Sequence, residues 1–306
     1  MKAAPAIPRV ALIYDFDGTL SRGNLQEAQF LPELEIEPHA FWGEVERRAE
    51  LHDADNILVY LQLMLERARE KGVELTRERL TAFGARLDFF EGVAAWFDRV
   101  DAFAKELGLG LDHFIISSGN YEIIEGCPIF DRFKRVFASR FAFEDGVAAW
   151  PSVAINYTNK TQFLFRINKG IDNVWDNSEI NAFTPRDRRP YPFARMVFVG
   201  DGDTDVPTMK MMTQKGGTSV AVYDPERDRR SLDKIDRLIA EGRVDFVAPA
   251  DYTENSQLDI VIRGILGRIA LGEGLAPPGA PSASERGASE RGASERKPGP
   301  RAVKTG

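Results

Sequence analysis

Four short apolar runs along the chain lack polar alternation, and each stops abruptly at a polar cluster. Val10-Ala11-Leu12-Ile13-Tyr14 ends at Asp15-Phe16-Asp17-Gly18, and His113-Phe114-Ile115-Ile116 ends at Ser117-Ser118-Gly119. Met196-Val197-Phe198-Val199 ends at Gly200-Asp201-Gly202-Asp203, and Ser219-Val220-Ala221-Val222 ends at Tyr223-Asp224-Pro225. Continuous runs of this length fit parallel strands covered on both faces. Helical patterns separate them, so the chain reads as βαβ units forming a doubly wound α/β core around a parallel sheet. Such sheets bind ligands at the carboxyl ends of their strands. All four polar clusters fall there.

Between the first two runs, residues 22–87 are mostly helical in pattern. Ile57, Tyr60, Leu61 and Met64 share a helical spacing, as do Leu80, Phe83 and Leu87 behind a cap at Thr76. The segment is too long for a simple crossover connection. It predicts a small helical domain inserted into a core made of residues 8–21 and 88–275. A helix around Val93–Ala104 returns the chain to the sheet. Residues 137–150 read as a hairpin with Asp145-Gly146 at its turn. Residues 168–195, with Pro185, Pro190 and Pro192, read as a polar surface excursion, and an amphipathic helix follows over 257–271. From 276 to 306 the unit Gly-Ala-Ser-Glu-Arg repeats with scarcely an apolar side chain. Nothing there offsets the entropy of ordering, so a disordered low-complexity tail is expected.

Charge narrows the choice of partner. The 306 residues include 40 Lys and Arg against 47 Asp and Glu, a net charge of −7. That balance leaves no electrostatic footprint for nucleic acid or an anionic membrane. An anionic substrate must therefore be held by local cations or a metal. Cys127 is the single cysteine, which excludes an internal disulfide and a cysteine-based zinc site. The first residues lack a secretory pattern, and no window approaches the roughly 18 apolar residues of a membrane helix. A cytoplasmic location is expected.

Asp15 and Asp17 stand two apart at a strand end, with Gly18 free to make a sharp turn. Taken alone, the pair reads as solvated acids in a turn. A calcium loop of the EF-hand kind needs Gly sixth and Glu twelfth. Counting from Asp15 gives Gly18 fourth and Gln26 twelfth, and counting from Asp201 gives Val206 sixth and Met212 twelfth. The set carries more weight than either pair. If the strands ending in these acids are neighbours, the carboxylates converge and need a cation, and hard oxygen ligands select Mg²⁺. Ser117 adds a hydroxyl, and Ser118 and Gly119 add amides, that suit phosphoryl oxygens. A nucleophile elbow is excluded, because Ile115 and Ile116 occupy the places where a Gly would precede Ser117 or Ser118.

Asp15-Phe16-Asp17-Gly18-Thr19-Leu20 resembles the DxDGT signature of the haloacid dehalogenase superfamily. Phe114-Ile115-Ile116-Ser117 resembles its second motif, Lys160 in Asn159-Lys160-Thr161 its third, and Gly200-Asp201-Gly202-Asp203-Thr204-Asp205 its fourth, GDGxxD. The resemblance spans about Val10 to Leu271 and implies a Rossmann-like core with a helical cap of the C1 type at 22–87. It implies a phosphatase acting on a small phosphorylated metabolite through an aspartyl-phosphate at Asp15. Asp17 would serve as acid and base, and Ser117 and Lys160 would hold the phosphoryl group. Mg²⁺ would be held by Asp15, Asp17 through its backbone carbonyl, and Asp201, with Asp205 behind them. Dehalogenases of the superfamily lack the second aspartate, and its ion pumps need membrane helices, so phosphoester chemistry fits this chain better. A phosphomutase, or a non-catalytic regulatory protein keeping the fold, are the competing readings. The chain looks most like the phosphoserine phosphatase branch, but departs from it at Gly18 and Thr204. It departs also at Asn24, where that branch has an acid for the serine amine. Glu27, a turn away, is the expected substitute.

Overall fold

All four apolar runs are strands of one sheet. In the computed structural model, which describes residues 7–202, 204–226 and 238–275, they form β1 (Arg9–Tyr14), β2 (Gly110–Asn120), β5 (Met196–Gly200) and β6 (Thr218–Tyr223). Three more strands, β3 (Phe133–Glu144), β4 (Val147–Val153) and β7 (Phe246–Pro249), complete the order β4-β3-β2-β1-β5-β6-β7. Every neighbouring pair is parallel except the β3–β4 hairpin. Asp203 and the tail from 276 to 306 lie outside the described residues.

The unbroken apolar pattern of β1 has a direct cause. Val10, Leu12 and Tyr14 face one core with Trp96, Phe97, Ile262 and Leu266, while Ala11 and Ile13 face another with Phe163, Leu164, Met209 and Met212. Alternate side chains thus serve opposite faces, and both faces are covered. At the hairpin, Asp145 and Gly146 both have positive φ, 51° and 82°, as a type I′ turn demands.

The insertion contributes helices Pro38–His52, Asn56–Glu70 and Arg77–Gly84. Asp55 caps the second, accepting from the Ile57 and Leu58 amides, and Thr76 Oγ1 caps the third by accepting from Arg79. Leu87 lies beyond the third helix, contrary to the spacing argument. Gly84, the last helical residue, presses on another backbone, where a Cβ would stand 2.0 Å from the Ile123 carbonyl oxygen. Phe30, Phe41, Val45, Tyr60, Leu61 and Met64 belong to the same apolar cluster as Trp96 and Leu266. The insertion and one face of the sheet therefore share a continuous core.

From β1 the chain goes to β2 on one side, and β5 lies on the other. Strand order reverses here, and the crevice outside the carboxyl end of β1 is where ligands bind in such sheets. Because β5 pairs directly with β1, the acids that follow these two strands meet.

Candidate active site

Asp15 continues the β1 ladder, its amide donating to the Val199 carbonyl at 2.9 Å. The chain then doubles back, with Gly18 at φ 70° and its amide donating to the Ser21 carbonyl at 2.9 Å. A Cβ at Gly18 would lie 2.7 Å from Asp201 Oδ2, so the turn rests directly on that carboxylate. Behind β5, a Cβ at Gly200 would meet Asp205 Oδ2 at 2.2 Å. Both glycines are required by close approach. One carboxylate oxygen from each of Asp15, Asp201 and Asp205 lies within 4.8 Å of the others.

Lys160 opens the helix Lys160–Lys169 and is fully buried. Its Nζ donates to Asp15 Oδ2, Thr204 Oγ1 and Asp205 Oδ1, each at 2.8 Å. Burial opposes its charge, but Asp15 and Asp205 outweigh that effect and raise its pKa. Asp17 has its pKa raised well above the carboxylate range by desolvation and then by the charge of Asp15. The Leu25 amide, donating to Asp17 Oδ1 at 3.0 Å, works in the other direction. Asp205 is likewise raised, by burial and by Asp15.

These residues fit a divalent cation. Three carboxylates crowd together, two of them bonded to the Lys160 ammonium, and among the described residues Asp205 Oδ2 is buried without a hydrogen-bond partner. An orphaned buried acceptor costs roughly 1–3 kcal/mol. Hard oxygen donors at this spacing suit Mg²⁺, which retains part of its own shell.

The Ser117-Ser118-Gly119 segment differs from its sequence reading. It belongs to β2, where the pairing with β3 jumps from Ser117–Ala138 to Asn120–Ser139. Ser118 and Gly119 are thus bulged out of the ladder, a device that re-aims backbone beside active sites. The Gly119 amide is not free for a phosphoryl oxygen as expected, because it donates to Ser117 Oγ at 3.0 Å. Among the described residues Ser118 Oγ is buried without a partner, and the Ser118 carbonyl accepts from Tyr60 Oη at 2.7 Å.

Asp15, Asp17, Ser117, Ser118, Gly119 and Asp201 all line one cavity of about 390 Å³. Lys160 and Asp205 do not line it but reach it through Asp15. The opposite wall comes from Trp42, Glu46, Asn56 and Tyr60 of the insertion and from Tyr157. Sequence reasoning assigned Tyr60 only to a core stripe and missed Thr204, whose signal was its place inside the fourth motif. Glu27 does not line the cavity. Its Oε1 accepts from Trp42 Nε1 at 2.6 Å and Asn24 Nδ2 at 2.7 Å, and the acid facing the cavity from the insertion is Glu46.

The model of the haloacid dehalogenase-like hydrolase family matches residues 12–210, from β1 through Asp15, Lys160 and Asp201 to Asp205. The chain belongs to this family. An uncharacterized protein of Borreliella burgdorferi is 29% identical over 277 residues, covering 81% of this chain and 93% of that protein. Among solved structures, a probable phosphoserine phosphatase from Vibrio cholerae superposes with a TM-score of 0.53 at 13% identity, over 88% of this chain and 68% of that one. A substrate-bound phosphoserine phosphatase complex superposes at 0.51 and 16% identity, over 83% and 97%. The fold is thus that of the haloacid dehalogenase-like hydrolases and is shared with these two phosphoserine phosphatase structures. No helix among the described residues is long and apolar enough to cross a membrane.

Proposed function

We propose that this hydrolase is a cytoplasmic Mg²⁺-dependent phosphatase that cleaves a small phosphomonoester through an aspartyl-phosphate on Asp15. One observation carries the reading. A buried carboxylate gripped by a buried ammonium shares its cavity with a second carboxyl group two residues on, and that cavity also holds Ser117 and Asp201.

Asp15 attacks phosphorus, and the bond to the leaving oxygen breaks as Asp17 gives that oxygen its proton. Asp17, now ionised, takes a proton from water, which attacks phosphorus and releases Asp15 and phosphate. Lys160 holds Asp15 in place with its positive charge, and the Ser117 hydroxyl orients a phosphoryl oxygen. A Mg²⁺ held by Asp15, Asp201 and the Asp17 backbone, with Asp205 behind, supplies charge neutralisation for the phosphoryl oxygens when bound. Residues 22–87 act as the cap that covers the cavity and excludes water.

Quenching the protein in acid during turnover of a radiolabelled phosphomonoester should leave label on the protein, released by hydroxylamine as expected of an acyl phosphate. Steady consumption of substrate with no trapped label would point instead to direct attack by water. A second expectation isolates Asp17. Asp17→Asn should lower kcat on an alkyl phosphate by about 10²–10⁴-fold. It should spare phosphorylation by p-nitrophenyl phosphate, whose leaving group departs without a proton. Equal losses in the phosphorylation step for both esters would remove Asp17 as the acid.

A further inference from the structure

Besides Asp15, Asp17 and Asp201, the cavity is lined by the rings of Trp42, Tyr60 and Tyr157, the carboxylate of Glu46 and the amides of Asn24, Gln26 and Asn56. Among the described residues, no Lys, Arg or His lines it. Lys160 lies behind Asp15, and its three protons are committed to Asp15, Thr204 and Asp205. Trp42, Tyr60 and Tyr157 contribute rings, and the polar hydrogens of Trp42 and Tyr60 are engaged. Trp42 Nε1 donates to Glu27, Tyr60 Oη donates to the Ser118 carbonyl, and Tyr157 Oη accepts from Asn56 Nδ2 at 3.3 Å. Trp42 and Tyr60 therefore offer a ligand mainly ring surface, while Tyr157 keeps its hydroxyl proton. Trp42 and Tyr60 meet at 65° with centroids 5.8 Å apart, forming a corner rather than a stack. Glu46 adds an exposed carboxylate with no ion pair among the described residues. Its neighbours are occupied, Arg47 by Glu44 and Arg48 by Glu44 and Glu66.

We infer that the leaving alcohol carries an alkylammonium group and no second anion, so the substrate is the phosphomonoester of a small amino alcohol. The inference rests on the phosphatase reading and deepens it. A leaving group bearing a carboxylate or second phosphate would meet Glu46 with no Lys, Arg or His in the lining to receive it. A sugar or polyol would find hydrogen-bonding partners in Asn24, Gln26 and Asn56 but would leave the charge of Glu46 unmatched. An alkylammonium is drawn to aromatic faces by their quadrupole and to Glu46 by its charge. The cavity, near the lower end of the usual range for small-molecule sites, suits a leaving group of a few carbons.

Neutral isosteres isolate charge from shape. The purified full-length protein with Mg²⁺ would be assayed on phosphocholine against neohexyl phosphate, and on phosphoethanolamine against propyl phosphate. Phosphoserine, glycerol phosphate and phenyl phosphate complete the set. At least one ammonium ester should exceed its neutral copy by about tenfold or more in kcat/KM, the equivalent of about 1.4 kcal/mol. It should also exceed phosphoserine and glycerol phosphate, and Glu46→Gln should reduce the ammonium-to-neutral ratio severalfold. Ratios near one for both pairs, or a preference for phosphoserine or glycerol phosphate, overturn the inference and leave the phosphatase reading standing. Failure to hydrolyse any ester, phenyl phosphate included, removes both.

Discussion

Asp15→Asn is expected to lower turnover of phenyl phosphate far beyond the roughly 10²–10⁴-fold typical of a lost acid–base group. An amide oxygen is a poor nucleophile, so the covalent route closes instead of slowing. The fold should survive the change. Asn matches Asp in size, and Lys160 keeps Asp205 and Thr204 as partners at 2.8 Å. A melting curve close to wild type, beside absent turnover, is the expected pair of results. Near-native turnover in a preparation freed of contaminating phosphatases would place the nucleophile elsewhere.

Removal of divalent cations is expected to be nearly as severe. Carboxylate oxygens of Asp15, Asp201 and Asp205 already lie within 4.8 Å of one another, and a phosphate dianion would add to that charge. The single positive charge of Lys160, shared between Asp15 and Asp205, does not balance it. Excess chelator should cut the rate by at least about 10³-fold, because several kcal/mol of charge stabilisation disappears. Mg²⁺ should restore it. A second readout needs no turnover. Saturating Mg²⁺ should raise the melting temperature of chelated protein, since a cation at about 100 times its Kd adds about 2.7 kcal/mol. Asp201→Asn should abolish that rise. Full activity in chelator, with a melting curve indifferent to Mg²⁺, would dispose of the metal.

The strands that build the site were legible because each is apolar on both faces and stops where its chemistry begins. Asp145-Gly146 announced its hairpin because two consecutive positive φ values leave few residue choices. Other features depend on partners remote in sequence. β7 is four residues long and ends in Pro249, too short to carry a pattern of its own. The bulge after Ser117 arises from the register of β3, which nothing in Ser117-Ser118-Gly119 encodes. Glu27 lies in the right neighbourhood, but its orientation is set by Trp42, fifteen positions away. Tyr60 shows one face to the core stripe while its hydroxyl reaches Ser118, a pairing that helical spacing cannot reveal.

That last contact makes the site mechanically continuous with the helix above it. Ser118 sits outside the β2–β3 ladder, so its carbonyl is anchored from the insertion side by Tyr60. A shift of the Asn56–Glu70 helix that carries Tyr60 away pulls on the bulge next to Ser117. On the proposed reading, a phosphoryl oxygen at the Ser117 hydroxyl would bind beside a bulge that Tyr60 holds. Any helix shift that anion binding favoured would then favour anion binding by the same factor.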